Sequence, residues 1–334
     1  MHSSLSFAVA TIAAFTAGPA LGHPNPSPMT LAFASKPGGN WDIFLARADG
    51  GQPTQLTRDP SNERFPVWSP DGSRIAYGSE RSGAWELWIM DADGRSARSL
   101  TRGIVAKSPR GWSPDGTRIA FESERDGNAE IYIVSVADGR VTRLTSNPGD
   151  DHSPSWSPDG SKIAFVSTRD GKSDVFLMNP DGTGQAAITS NAGALGSSSP
   201  AWSPDGRRVA FASMQEGQRD IHVLTLADQR VTRLTSSAAN EHSPVWSPDG
   251  TRIAFQSIRG DNHDLEVVDA DGRNRNRLTV APQYDGQHSW SADSRSIAFI
   301  SGRSGHDALY VIGADGKGLR QVSEHPALDP RWSP

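Results

Sequence analysis

The sequence predicts an all-β chain: a seven-bladed β-propeller of four-stranded blades, closed by pairing the C-terminal strand with the N-terminal blade. Three observations predict it. Trp-Ser-Pro-Asp-Gly recurs at Trp68, Trp112, Trp156, Trp202 and Trp246, varies to Trp-Ser-Ala-Asp-Ser at Trp290, and returns as Trp332-Ser333-Pro334. The intervals are 44, 44, 46, 44, 44 and 42 residues, a period that marks stacked or radial repeats. No window of useful length carries a 3.6-residue apolar period, and short apolar runs alternate with Gly, Pro, Asp and Ser clusters.

The elements follow in chain order. Leu5 to Ala17 is an uncharged, mostly apolar run of thirteen residues, too short to span a bilayer as a helix. Gly18-Pro19 breaks it, and Ala20-Leu21-Gly22 supplies the small residues of a cleavage site. Residues 1–22 therefore read as a secretory signal peptide. Residues 23–28, His-Pro-Asn-Pro-Ser-Pro, read as a Pro-rich extended spacer. No later stretch reaches membrane-spanning length, so no membrane insertion is expected.

Residues 29–334 carry the repeats. In each unit the Trp strand comes first, and Pro-Asp-Gly turns it into an Ile-Ala-Phe-like strand such as Ile119-Ala120-Phe121. A Ser-x-Arg-x-Gly turn leads to a third apolar strand such as Ile131-Tyr132-Ile133-Val134. Asp-Gly turns again, and a fourth strand ends in Leu-Thr, as at Leu144-Thr145. The first complete strand, Leu31-Ala32-Phe33, is a second strand, and Trp332 belongs to a first strand. The two fit one blade stitched from both ends, which leaves no open edge.

Composition narrows the function. There is no cysteine, which excludes disulfides, thiolate catalysis and zinc–cysteine sites. Net charge is −5, with no basic stripe or aromatic–basic interleaving to bind nucleic acid. No Gly-x-Ser-x-Gly elbow occurs, so serine-hydrolase chemistry is not expected. Asp91-Ala92-Asp93-Gly94 and Asp269-Ala270-Asp271-Gly272 lack a Glu at the twelfth position of a calcium loop and read as turns.

Together, Trp-Ser-Pro-Asp-Gly, Ile-Ala-Phe-x-Ser-x-Arg-x-Gly, an acid before Ile-Tyr, Asp-Gly and Leu-Thr closely resemble the WD40-like (PD40) repeats of TolB-type propellers. The resemblance spans residues 29–334 and implies the repeat fold.

Comparing the units with one another separates scaffold from site. An acid precedes the third strand seven times: Asp42, Glu86, Glu130, Asp174, Asp220, Asp264 and Asp307. The turn Arg recurs as Arg81, Arg125, Arg169, Arg259 and Arg303. Acid and Arg flank one turn and are expected to pair within each blade. The loops entering each Trp strand vary more and are the expected recognition face. Glu63, Lys107, Asp151, Glu241 and Asp285 stand five residues before a Trp, with His152 and His242 next to two of them and His288 two before Trp290. These eight are the candidate ligand-binding residues, with Phe65 and Tyr284 as exposed aromatic candidates. Acids gathered round one axis should favour a cationic partner.

The expected function is an exported, periplasmic or secreted, monomeric scaffold without enzymatic activity, which binds a protein, peptide or cell-envelope component with no cofactor. The alternative follows from His152, His242 and His288 with Gln287, which resemble the donors of oligogalacturonate lyases, seven-bladed propellers that hold a metal with histidines and a glutamine. That resemblance implies a divalent metal ion at the channel mouth and a polysaccharide lyase.

Overall fold

A computed structural model describes residues 30–106, 109–189, 195–215 and 217–334, with the side chains of 195–199 and 215 left aside. The expected signal peptide and spacer, and Lys107, lie outside the described residues. Twenty-eight strands form seven four-stranded antiparallel sheets. No helix among the described residues is long and apolar enough to cross a membrane.

Blade 1 joins both ends of the chain. Its order is β28 (Ala327–Trp332), β1 (Thr30–Ser35), β2 (Asp42–Arg47) and β3 (Thr54–Gln55). The seam is antiparallel, with Leu31 opposite Trp332 and Ser35 opposite Ala327. Blade 2 runs through β4 (Glu63–Trp68), β5 (Arg74–Ser79), β6 (Glu86–Asp91) and β7 (Arg98–Ser99). The inner strands of blades 3 to 7 are β8 (Pro109–Trp112), β12 (Asp151–Trp156), β16 (Leu195–Trp202), β20 (Asn240–Trp246) and β24 (Asp285–Trp290).

The core lies between blades, where each sheet covers its neighbour's face. Ile163 and Phe165 of blade 4 pack with Ala120 of blade 3. The Ile-Ala-Phe triplet thus presents two large side chains to one neighbour and a small one to the other, which suits sheets that converge on an axis. At the seam, Leu31 and Phe33 pack with Ala298, Leu309 and Val311 of blade 7.

Hydrogen bonds explain the remaining repeat letters. The Trp indole Nε1–H reaches the preceding blade and donates to the carbonyl of the residue before that blade's Trp. Six of these links form at 3.0–3.2 Å, from Trp68 to Arg331 round to Trp332 to Ser289. Only the link from Trp156 to Gly111 is missing, and the Trp156 Nε1 has no partner. In the Pro-Asp-Gly turn the Ser69 hydroxyl donates to Asp71 at 2.6 Å, while Gly72 takes φ 68°. Ser294 fills that left-handed position in the variant motif, at φ 59°.

The fourth strands are shorter than the sequence suggests, and Leu-Thr follows them instead of ending them. Leu56 N donates to Ile43 O at 2.8 Å, and Thr57 Oγ1 accepts from Ile43 N at 2.9 Å. The side chain replaces a ladder rung at the outer edge. Beside it, Gly182 of the Asp-Gly turn approaches the previous blade so closely that a Cβ would stand 2.7 Å from Leu144 O.

Candidate functional site

Six of the seven inner strands carry a bulge spanning the residue three before Trp, and in β8 the extra residue is Arg110, two before Trp112. Register shifts fall between Arg64 and Val67, His152 and Ser155, His242 and Val245, and Gly286 and Ser289. The bulged residue is left-handed at Phe65, Ser153, Ser243, Gln287 and Asp329, with φ from 47° to 59°. A bulge re-aims side chains and ends regular pairing. Here it separates two sets. The residues four and five before Trp stand at the loop-face entrance, and those one and two before Trp line the central channel.

The four acids of the first set are buried, and each has its own arginine. Each enters its inner strand opposite the Ser of the Ser-x-Arg turn, with Glu63 facing Ser79, Asp151 facing Ser167, Glu241 facing Ser257 and Asp285 facing Ser301. Glu63 meets Arg81 at 3.3 Å, Asp151 meets Arg169 at 3.1 Å, and Asp285 holds Arg303 through both oxygens at 3.0 Å. The same arginines also donate through Nε to the Ser hydroxyl, at 2.7 Å for Arg169 and Arg303. They also lie over third-strand rings, Arg81 on Trp88, Arg169 on Phe176 and Arg303 on Tyr310. Glu241 instead takes Arg275 at 2.7 Å, with hydrogen bonds from Thr235 and Ser237. Glu63, Asp151 and Asp285 are anchors for the turn, and Glu241 is held from the outer strands. They do not form the expected ring of uncompensated negative charge. Burial pushes the Glu63 carboxyl up to about 7, against the pull of Ser79 and Arg81.

The expected partner of the turn arginine is thereby corrected. Among the described residues, only Arg259 pairs with the acid before the third strand, Asp264, at 3.5 Å. That acid serves the outer edge instead: Asp42, Glu130 and Asp174 accept from Thr57, Thr145 and Thr189 of Leu-Thr. Fourth-strand arginines add ion pairs at Glu130, Asp220 and Asp264.

The histidines do not share one site. His152 and His242 occupy the slot four before Trp, on the entrance side of the bulge. His242 Nδ1 lies 2.9 Å from Arg219 of blade 5, and burial, then Arg219, pushes it down to about 4. His288, beyond the bulge, is buried in the channel wall, which drives its pKa to about 4 by desolvation. Gln287 accepts from the Asp329 backbone at 2.8 Å across the seam. Among the described residues no three His, Asp or Glu side chains gather to hold a metal. Phe65 is half-buried against Trp85 under the Arg64 guanidinium, and Tyr284 is half-buried against His263.

The channel residues one and two before Trp are the ones that sequence reasoning passed over. A cavity of about 530 Å³ opens here, lined by proline and tryptophan edges, Ser289, His288, Arg110 and Arg331. A second, of about 400 Å³, continues past Arg110 and Arg331 to Phe65, Glu122, Glu124 and Asp329. The signal for them is a departure from repeat letters. Five units carry Pro two before Trp, whereas units 3 and 7 carry Arg110 and His288, and Arg331 replaces a small or aliphatic residue one before Trp.

The comparisons agree with this architecture. The TolB beta propeller domain family matches residues 6–110, 101–198 and 183–263. No curated protein matches the chain. Among solved structures, putative TolB from Agrobacterium tumefaciens is 27% identical, covering 73% of this chain and 91% of its own at a TM-score of 0.58. TolB from Acinetobacter baumannii is 21% identical, covering 93% and 68% at a TM-score of 0.61. An oligogalacturonate lyase in complex with manganese shares the fold at 19% identity, covering 89% and 87% at a TM-score of 0.71. The repeat letters, the seven closed blades and the family match agree, and the chain belongs to the TolB β-propeller family.

Proposed function

We propose that the protein is an exported, non-enzymatic binding module whose channel and loop face receive a peptide segment of a protein or cell-envelope partner. The observation that carries the reading is the division made by the bulges. Acids and arginines at the entrance are tied into the turns, while the channel beyond keeps open volume and unpaired polar groups. A rigid scaffold with a concave, partly apolar site suits recognition. The apolar run and small-residue site at residues 5–22 support export, and the TolB neighbours suit an envelope setting.

The lyase reading draws on the fold shared with oligogalacturonate lyase and needs a metal-binding set. Here His242 faces Arg219, Gln287 faces Asp329, and His288 stands apart on the channel side. These contacts favour the binding module.

A photo-reactive residue at position 65, beside the channel entrance, tests the reading. Illumination in envelope extract should crosslink a discrete partner, and an excess of unlabelled protein should compete it away. Crosslinks only from a matched probe at Asp93, on the opposite face, would overturn the assignment of the binding face. Chelator-sensitive cleavage of acidic oligosaccharides by the purified chain would overturn the non-enzymatic reading.

A further inference from the structure

The 530 Å³ part of the channel carries cations and no carboxylate in its lining, whereas the sequence reading led to a negative entrance. Three arginines stand at its wall and mouth. Arg64 is paired with Asp329 at 3.1 Å, and Arg110 with Glu122 at 3.0 Å. No ion pair holds Arg331 among the described residues; its Nη1 donates to the Pro330 carbonyl at 3.0 Å. No carboxylate lines the 530 Å³ cavity into which Arg331, Arg110 and His288 face. Arg331 is exposed on the cavity wall with no carboxylate opposite it, so its guanidinium is open to an incoming anion.

Unused hydrogen-bonding atoms converge on the same cavity. Trp156 Nε1, His288 Nε2 and Ser289 Oγ are all buried without a partner, and all three residues line it. Trp156 and His288 are more than nine-tenths buried. Native proteins rarely leave such atoms orphaned, so each asks for a ligand or water. The free indole N–H has a local cause. The Trp ring is broken only where Gly111 occupies the slot before Trp112, and a Cβ added there would meet nothing nearer than Trp156 Cδ1 at 4.0 Å. The gap opens the wall beside Arg110.

We propose that this part of the channel binds the carboxylate of an extended peptide segment, with Arg331 as its principal cation and Arg110, His288, Ser289 and Trp156 as flanking groups. The guanidinium offers a planar pair of donors that fits a carboxylate. The Trp156 indole N–H is a donor only, Ser289 adds a hydroxyl, and His288 Nε2 donates in the charged ring or its Nε2–H tautomer. The Pro and Trp edges suit an apolar stem behind the charge better than a ring of hydroxyls. The proposal rests on the reading of the protein as a peptide-binding module and names the chemistry its channel selects.

Calorimetric titration of the full chain tests it with three probes. These are a short peptide with an apolar last residue and free C-terminal carboxylate, its C-terminal amide, and inorganic phosphate. The free acid should bind about tenfold or more tightly than the amide, as expected for a charge-assisted contact. Arg331→Gln should bring acid and amide within about twofold, and Arg110→Gln should narrow the gap less. Trp68 bonds to the Arg331 backbone carbonyl, so the substitution leaves the Trp ring intact. Unchanged thermal unfolding of both variants is the control on folding. Equal binding of acid and amide by the native chain would overturn the proposal. Phosphate binding as tightly as the peptide acid would overturn the peptide assignment. A crosslinked partner that Arg331→Gln binds as well as the native chain would remove this site and leave the proposed function standing. Peptide selectivity without any envelope partner would do the reverse.

Discussion

Glu63 and two histidines show how burial acts oppositely on acids and bases. Glu63 titrates near 7 in the fold, above its ordinary value, because desolvation outweighs Ser79 and Arg81. The native state therefore holds this proton where the unfolded chain has lost it. Its contribution is fully present below about 4.5 and is lost as pH rises through about 7. Glu63→Gln should remove that slope, making the variant's unfolding free energy flatter than the native protein's between those values. His242 and His288 are depressed to about 4, mainly by burial. There the unfolded chain binds the proton first, so stability present above about 6.5 is lost as pH falls towards 4. His242→Gln should reduce the acid sensitivity in that lower window and leave the Glu63 slope in place. Denaturant titrations at pH 4.5, 5.5, 6.5 and 7.5 read both effects. A Glu63→Gln variant with the native slope would show that the neighbouring Arg81 neutralises the burial cost.

At the scale of the turn and strand, an entrance acid and its arginine act as one anchor. Asp285 and Arg303 share two 3.0 Å contacts, with Ser301 and the Tyr310 ring fixing the guanidinium. Removing one partner strands a buried charge, so Asp285→Asn should cost about 3 kcal/mol or more. The double variant with Arg303→Gln should cost clearly less than the sum, and full additivity in a double-mutant cycle would mean the two act independently. Much of this was legible. Units 2, 4, 6 and 7 carry both an acid five before Trp and the turn Arg, while units beginning at Ala327 and Ser197 carry neither. Reading the two slots as covarying would have paired them in units 2, 4 and 7, but not in unit 6, where Glu241 takes Arg275 and Arg259 takes Asp264. Strand number, turn chemistry and blade order follow from the repeat because backbone turns and alternation are local. The inner-strand bulge was not legible, since Phe65, Ser153, Ser243, Gln287 and Asp329 share no left-handed signature. It moves His288 away from His152 and His242, which sequence spacing alone placed together.

For the whole molecule, closure is the decisive property, because β1 stays covered by an inner strand, and blade 1 stays packed in the ring, only while the seam holds. The Trp ring offers a graded probe of that cooperativity. Trp202→Phe removes an indole donor to Ser155 O and should cost on the order of 1 kcal/mol, whereas Trp156→Phe removes an N–H with no partner and should cost less. The seam itself concentrates more. β28 pairs with β1, buries Trp332 and Ala327, sends the Trp332 indole to Ser289 O, and receives the Trp68 indole at Arg331 O. Asp329 adds the pair with Arg64, and Ser333 N donates to Thr30 O at 2.8 Å. Removing residues 327–334 deletes all of these at once and uncovers the Leu31 and Phe33 face together with that of blade 7. Repeat proteins distribute stability over neighbouring interfaces, so the remaining blades keep their own sheets but lose the ring. The expected outcome is a broad, less cooperative thermal transition and concentration-dependent association through the exposed β1 edge. Adding a synthetic peptide of residues 325–334 should restore a sharp transition, since it supplies the missing inner strand. A truncated chain that unfolds as sharply and at the same temperature as the full one would show that blade 1 does not need β28.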